Sequence, residues 1–253
     1  MIILMQQAPP DRNTSEEERF QDDYYSYLES PENTPRYKPT VCFLNDAFPE
    51  SFSLLDLGCG NAALCKYLPE RCDYLGIDHS ELAIQRCLKL FPQRKFITAD
   101  LSVKLPQMVE KTQKFDAIVL AGLLFHSTDK NTLEKKDDQE IIEFCLQNLL
   151  SERGYLIIIV PFAYGNHPFH TLFARAELLQ KSLELMVEKA RGNIVYENIS
   201  LLTGLDQRIK QQKTIPDWFV ADSNADYANL YAGTYMATWT FISSLHPGIS
   251  PYL

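Results

Sequence analysis

Short apolar runs alternate with stretches of helical periodicity between residues 52 and 160, and this alternation limits the possible folds more than any other feature of the chain. The apolar runs predict strands at residues 52–57, 74–77, 95–98, 115–120 and 155–160. The helical patterns between them lie at about residues 62–68, 80–90, 105–111 and 131–150. Strands that are joined through helices pair in parallel. We therefore expect an α/β fold with a doubly wound, mostly parallel sheet.

The segments on either side of this core differ from it. Residues 6–18 are polar and contain too little apolar surface to order themselves. The other predicted elements are helices at about residues 20–28, 37–48 and 168–191 and strands at 193–199 and 234–243. We divide the chain into an N-terminal tail and helical lid, residues 1–50, and one domain, residues 51–253, with an insertion at about residues 200–233.

Charge and composition exclude several classes of function. Thirty-three acidic against 24 basic residues give a net charge of −9, so we expect no nucleic-acid partner. No apolar run approaches the roughly 18 residues of a membrane span, so we expect no membrane partner. The six cysteines form no Cys-x-x-Cys pair, which indicates reduced thiols, a cytoplasmic location and no metal centre. Nothing in the composition assigns an oligomeric state.

A glycine-rich turn follows the first predicted strand. In the run Leu-Leu-Asp-Leu-Gly-Cys-Gly-Asn-Ala-Ala, residues 54–63, an apolar strand breaks at Gly58 and Gly60 and leads into a helical pattern. Glycines can adopt a positive φ there and let backbone amides approach a ligand. Tight strand-to-helix turns also contain such glycines for packing alone, so this motif by itself is weak evidence.

Acidic residues end the next two predicted strands. Asp78 follows the second strand, 22 residues after Asp56, and Asp100 follows the third strand. The carboxyl ends of parallel strands meet at one edge of the sheet, where α/β proteins bind their ligands. An acid after the second strand can accept both hydroxyls of a ribose, and one after the third can accept an adenine amine. Three acids at one edge therefore predict a nucleoside-type site.

Together these motifs resemble those of the class I S-adenosylmethionine-dependent methyltransferases, over about residues 53–161. The resemblance implies a Rossmann-like sheet of seven strands, mostly parallel, with an antiparallel last strand. It also implies S-adenosylmethionine as cofactor and S-adenosylhomocysteine as product. The implied cofactor contacts are Asp56, Gly58, Cys59, Gly60 and Asn61 for the methionine part, Asp78 for the ribose, His79, Asp100 and Leu101 for the adenine, and Ala121 and Gly122 near the methionine backbone.

Residues outside these motifs complete the predicted site. In the N-terminal lid, Tyr24, Tyr25 or Arg36 could reach the cofactor carboxylate, and Arg36 is favoured because a guanidinium binds a carboxylate through two hydrogen bonds. His126, after the fourth strand, and His170, after the fifth, are the candidate catalytic bases, since a hydroxyl acceptor must lose its proton. The alternative for each is a structural role, such as lid packing for Arg36 or helix capping for His126.

Two other functions remain compatible with these motifs. A glycine turn followed by a strand-end acid is also typical of NAD(P)-dependent oxidoreductases, although Asp56 before the glycines and the Ala-Asp-Leu at residues 99–101 favour methyl transfer. A catalytically silent S-adenosylmethionine-binding module would have the same cofactor residues. We expect a methyltransferase that acts on an oxygen or nitrogen of a small molecule, including natural-product intermediates.

Overall fold

The computed structural model describes residues 29, 34–100, 113–124, 136–164, 176–201 and 235–246. The helices are α1 (Thr34–Ala47), α2 (Glu81–Leu90), α3 (Lys136–Phe144) and α4 (Ala176–Lys189), with a 3₁₀ turn at Ala63–Lys66 and a π turn at Cys145–Leu149. The strands are β1 (Phe52–Leu57), β2 (Cys72–Asp78), β3 (Lys95–Thr98), β4 (Phe115–Ala121), β5 (Leu150–Tyr164), β6 (Asn193–Leu201) and β7 (Tyr235–Ser244).

The seven strands form one sheet in the order β3-β2-β1-β4-β5-β7-β6. Strands β1 to β5 pair in parallel, and β7 lies antiparallel between β5 and β6. The predicted mostly parallel, seven-stranded sheet with an antiparallel last strand is confirmed. The chain runs outward from β1 in one direction to β3 and then returns to β4 on its other side. This reversal places the loop after β1 at the switch point of the sheet.

Strand β5 is longer than the prediction, which ended at Val160. Its pairing with β4 stops at Ile159, whereas its antiparallel pairing with β7 continues to Tyr164. Pro161 therefore has a strand partner on one side, Thr238 of β7. A proline cannot donate a backbone hydrogen bond, and it is tolerated where a strand is paired on a single side.

Two apolar clusters cover the two faces of the sheet. One contains Leu55 and Leu57 of β1 and packs against α3, the π turn and α4. The other contains Leu54 and packs against α1 and the 3₁₀ turn. Adjacent β1 residues point to opposite faces, and both faces are buried, which explains why the parallel strands are continuous apolar runs.

Helix α1 is the described part of the predicted lid, and it packs on the sheet as part of the core. Phe43 and Leu44 are fully buried, and the Phe43 ring lies 4.9 Å from the Tyr155 ring of β5, edge to face. Phe43 also lies 5.8 Å from Tyr196 of β6. The helix predicted at residues 20–28 and nearly all of the insertion at about residues 200–233 lie outside the described residues. None of the described helices has the length and apolar character that crossing a membrane requires.

A carboxylate ties three neighbouring strands together near their amino ends. Asp116 of β4 accepts hydrogen bonds from the backbone N–H and the hydroxyl of Ser53 on β1, both at 2.9 Å. Its other oxygen accepts the hydroxyl of Ser151 on β5 at 3.4 Å. These contacts help to fix the register of β1, and hence the position of the glycine turn at its far end.

Removing this carboxylate should destabilise the protein. Asp116→Ala leaves the Ser53 and Ser151 donors without their acceptor, so we expect the free energy of unfolding to fall by about 1–3 kcal/mol. Asp73→Ala is the matched control, because Asp73 is an exposed strand carboxylate that pairs with Lys95. It should cost less than about 0.5 kcal/mol. Urea denaturation measures both, and equal losses would contradict this account.

Candidate functional site

The glycine turn after β1 has the left-handed backbone that the sequence predicted for it. Gly58 has a φ of +70° and Gly60 a φ of +51°. Ala62 also has a positive φ of 50°, without the freedom of a glycine, and such residues are enriched near functional sites. The helix predicted over residues 62–68 is a single 3₁₀ turn, Ala63–Lys66. The left-handed Ala62 and the short turn replace the regular helix N-terminus that the motif suggested.

Asp78 holds this turn to the end of β2. Its carboxylate is buried, and it accepts the N–H of Gly60 at 2.8 Å through one oxygen and the N–H of Ser80 at 2.9 Å through the other. The imidazole of His79 lies 3.5 Å from the same carboxylate and is about half exposed. The acid predicted to bind a ribose therefore also fixes the backbone of the loop beside it.

Asp56, at the end of β1, is buried with a single hydrogen bond to its carboxylate among the described residues. The hydroxyl of Tyr74 donates to Oδ2 at 2.8 Å, and Oδ1 has no partner in the described part of the chain. The pKa of Asp56 is raised from 3.8 to about 7. Burial is the largest cause, the hydrogen bond from Tyr74 lowers the pKa, and the negative charge of Asp78 raises it. Asp56 therefore changes charge near neutral pH.

Arg36 of α1 reaches the loop after β4. Its side chain is buried, and Nη2 lies 2.7 Å from the position that a Cβ on Gly122 would occupy. Gly122 has a φ of +70°, so a side chain there would be both strained and blocked. Leu123, in the loop after β4, packs against the glycine turn after β1. Its Cδ1 lies 2.9 Å from the position that a Cβ on Gly58 would occupy. The two loops and α1 are thus in direct contact.

Several buried polar atoms around these loops have no hydrogen-bond partner within the described residues. They are Arg36 Nε, Asp56 Oδ1 and Asn61 Oδ1. Leaving a buried polar atom unpaired costs about 1–3 kcal/mol, so such atoms call for an explanation. One cationic donor and two oxygen acceptors fit a ligand that presents both a carboxylate and an ammonium group. That is the chemistry of an amino acid.

Two buried thiols pack beneath the glycine turn. The Cys87 thiol of α2 donates to the carbonyl of Gly60 at 3.1 Å. The Cys59 sulfur lies 2.9 Å from the position of a Cβ on Gly76, which is why β2 has a glycine there. The hydrogen bond to Cys87 and burial raise the pKa of Cys59 well above its ordinary value. Cys59 therefore has a packing role, because a buried thiol with a raised pKa is unreactive.

The structure brings most of the predicted site residues to one edge of the sheet. The loop at residues 58–61, Asp78 and Gly122 follow β1, β2 and β4, and the N–H of Ala99 donates to the carbonyl of Asp78 at 2.7 Å, which places the exposed Asp100 beside them. Leu101, His126 and His170 lie outside the described residues. Among the residues that the structure describes, no group of three metal-ligating side chains occurs.

Sequence analysis missed three residues of this site: Tyr74, Leu123 and Cys87. The position of Tyr74 depends on the strand register, which pairs Gly76, two residues after it, with Asp56 and is known only from the structure. A tyrosine at that position faces the same side of the sheet as the acid. Leu123 and Cys87 gave no signal, since their contacts cross between separate loops.

Comparison with known families identifies the family of this chain. A family model described as a methyltransferase domain matches residues 50–231. The chain belongs to this family of methyltransferases. Its sheet order and glycine turn are those of the class I, S-adenosylmethionine-dependent type. The family match separates methyl transfer from the nicotinamide alternative, which has the same type of glycine motif.

Solved structures agree with this methyltransferase in fold. An S-adenosylmethionine-dependent methyltransferase from Geobacter sulfurreducens, in complex with S-adenosylhomocysteine, aligns with a TM-score of 0.57 at 15% identity, covering 91% of this chain and 98% of that one. A putative sarcosine dimethylglycine methyltransferase from Galdieria sulphuraria aligns with a TM-score of 0.58 at 11% identity, covering 93% and 100%. A search of curated protein sequences finds no match.

The buried Asp56 of the methyltransferase should make its stability depend on pH. Between pH 3.8 and about 7 the unfolded chain has lost the Asp56 proton and the folded chain retains it. Folding then takes up a proton, so the free energy of unfolding falls as the pH rises, by up to about 1.4 kcal/mol per unit. Asp56→Asn has no proton to take up and should escape this loss.

We therefore expect the stability of Asp56→Asn relative to wild type to increase from about pH 4 to about pH 7 and to stay constant above that. Urea denaturation at a series of pH values measures the difference. Asp73→Asn is the control, because that carboxylate is exposed, and its difference from wild type should stay small at every pH. If the difference in unfolding free energy between Asp56→Asn and wild type does not change with pH, the pKa of Asp56 is not raised by folding.

Proposed function

We propose that this methyltransferase transfers a methyl group from S-adenosylmethionine to an oxygen or nitrogen atom of a small molecule, natural-product intermediates being one such class. The observation that supports the cofactor assignment is the set of unpaired buried polar atoms beside the glycine turn. It matches the charged amino-acid end of S-adenosylmethionine. The acidic net charge of −9 favours a small acceptor over a nucleic acid.

In this proposal, Arg36 and Asp56 bind opposite charges at the amino-acid end of the cofactor. Arg36 is a buried cation with its Nε unpaired in the described part of the chain, and a guanidinium is suited to a carboxylate. Asp56 Oδ1 is the corresponding acceptor for the ammonium group. The strands that lead to Asp56 and Gly122 are neighbours, since Asp56 is paired in register with Val119 of β4. The loop at residues 58–61 and Ala121 would line the methionine chain between these groups.

The nucleoside end would lie at the ends of β2 and β3. Asp78 retains lone pairs for ribose hydroxyls after accepting two backbone amides. His79 is half exposed beside it and offers a ring for the adenine to pack on. Asp100 is exposed at the adjacent strand end, and with Leu101 it would contact the adenine. The two halves of the cofactor thus correspond to two groups of side chains on one sheet edge.

The acceptor half of the site is assigned from the sequence. Bound S-adenosylmethionine supplies a methyl group already activated by the sulfonium charge, so the protein mainly has to align the acceptor with it. His126 and His170 follow the fourth and fifth strands at the same edge, and either could remove a proton from a hydroxyl or ammonium acceptor. We place the protein in the cytoplasm, which the six free cysteines support.

Cofactor binding can be tested by calorimetry with S-adenosylhomocysteine. Asp78→Ala removes a predicted ribose acceptor and the acceptor for Gly60 N–H, so we expect binding to weaken by about 10–100-fold. Asp73→Ala, on the exposed part of the same strand, should bind as wild type does. NADH should not bind. Unchanged binding by Asp78→Ala would contradict the ribose assignment, and binding of NADH would contradict the cofactor assignment.

Catalysis can be tested separately from binding. A panel of small hydroxyl and amine acceptors is screened for release of S-adenosylhomocysteine. For an acceptor that reacts, His126→Ala or His170→Ala should lower turnover by about 10²–10⁴-fold, because a positioned base contributes that much. Affinity for S-adenosylhomocysteine should stay within about twofold. Tight cofactor binding with no turnover on any acceptor would favour the silent-module alternative, and unchanged turnover in both variants would exclude a histidine base.

A further inference from the structure

Tyr74 is a buried polar residue to which the proposed function gives no role. Its side chain is 1% exposed, and its hydroxyl donates to Asp56 Oδ2 at 2.8 Å. The ring is held by Phe96 of β3, with ring centres 5.6 Å apart and planes at 60°. Gly76, between Tyr74 and Asp78 on the same strand, is the register partner of Asp56. The hydroxyl is therefore held rigidly at one oxygen of the acid.

This hydrogen bond occupies one oxygen of the Asp56 carboxylate and leaves the other oxygen available. Tyr74 offers a single O–H donor, and Asp56 Oδ1 has no partner within the described residues. Burial and the charge of Asp56 raise the pKa of Tyr74 well above its ordinary value, so the hydroxyl stays protonated and remains a donor. A carboxylate with one neutral donor and one free oxygen can accept a cation.

The other groups that act on Asp56 do not favour its charged form. Asp56 shifts the pKa of several described side chains, and Asp78 of β2 shifts that of Asp56. The side chains shifted by Asp56 are Tyr37 of α1, Cys59 and Cys65 of the loop and 3₁₀ turn, and Cys72 and Tyr74 of β2. None of these groups is a cation. Among the described groups that shift the pKa of Asp56, only the Tyr74 hydroxyl lowers it.

We propose that Tyr74 is a positioning residue that favours the charged form of Asp56, the form that receives the α-ammonium group of the cofactor. The fraction of Asp56 that is still protonated must then release its proton when the cofactor binds. This inference rests on the proposed function. The proton balance is simple: neutral Asp56 and the ligand ammonium give a carboxylate–ammonium pair and one proton, which passes to the buffer. Without the Tyr74 hydroxyl, a larger fraction of Asp56 is protonated at a given pH. The ligand then has to displace the Asp56 proton more often, and its affinity is lower.

The test compares two ligands that differ at the amino-acid end. S-adenosylhomocysteine has the ammonium group, and 5′-methylthioadenosine has the same nucleoside and thioether without it. Calorimetry from pH 6 to pH 8.5, in two buffers of different ionisation enthalpy, gives the affinity and the number of protons released. The variants are Tyr74→Phe and, as matched control, Tyr155→Phe, which changes another buried tyrosine of the same apolar cluster.

For Tyr74→Phe we expect about tenfold weaker binding of S-adenosylhomocysteine at pH 7, because a hydrogen bond to a charged group is among the stronger ones. This loss of affinity should become smaller toward pH 8.5. At pH 7, Tyr74→Phe should release more protons on binding than wild type does. Binding of 5′-methylthioadenosine should stay within about twofold. Tyr155→Phe should match wild type. The ammonium group of S-adenosylhomocysteine titrates in the same way in every experiment, so its effect cancels in the ratio of variant to wild-type affinity.

A purely structural role for Tyr74 would weaken both ligands by the same factor at every pH, and that result would overturn the proposal. So would unchanged binding in Tyr74→Phe. Asp56→Asn provides a second test that does not depend on the folding of Tyr74→Phe: it should abolish the proton release that accompanies binding of S-adenosylhomocysteine at pH 7. Failure of wild type to bind either ligand would instead contradict the proposed function.

Discussion

The hydrogen bonds of Asp78 are the interaction on which the rest of the site depends. One carboxylate accepts backbone amides from two separate segments, the glycine turn at Gly60 and the start of α2 at Ser80. On the other side of the turn, Cys87 of α2 donates to the carbonyl of Gly60. Both polar groups of the Gly60 backbone are thus held by β2 and the helix that follows it. The turn is therefore ordered before any ligand binds, which reduces the entropy lost on binding.

This order has a cost in stability. The site contains two buried carboxylates, a buried guanidinium and a left-handed alanine, and three of its buried polar atoms are unpaired among the described residues. Each feature is unfavourable in the free protein and is compensated by the apolar packing on both faces of the sheet. Proteins retain such groups where function needs them. A zwitterionic ligand can pair the opposite charges of Arg36 and Asp56, so binding and stability are linked at this edge.

The two halves of the site come from different parts of the chain. The residues proposed to bind the cofactor lie on α1 and at the ends of β1, β2, β3 and β4, and α1 is positioned by the packing of Phe43 against β5 and β6. The residues proposed for the acceptor half, His126 and His170, lie in the connections after β4 and β5. The proposal thus assigns cofactor binding to the sheet edge and the choice of acceptor to the connecting segments.

Local patterns in the sequence predicted the core strands closely. The predicted strands at residues 52–57 and 95–98 match β1 and β3 in both bounds, because apolar alternation is a local property. The left-handed backbone at Gly58 and Gly60 was also predictable, since few other residues adopt it without strain. The helix expected over residues 62–68 was wrong in extent, because the positive φ of Ala62 is set by the contacts of the turn and not by helix propensity.

The sequence by itself determined the α/β class, the order of strands along the chain and the acids at the strand ends, because each depends on neighbouring residues. Only the tertiary structure decided that Tyr74 donates to Asp56, that Leu123 packs on Gly58 and that Arg36 lies against Gly122. These contacts join residues 18, 65 and 86 positions apart, and the order of strands in the sheet brings them together. Side-chain contacts across strands follow from sheet register and packing, which no local pattern encodes.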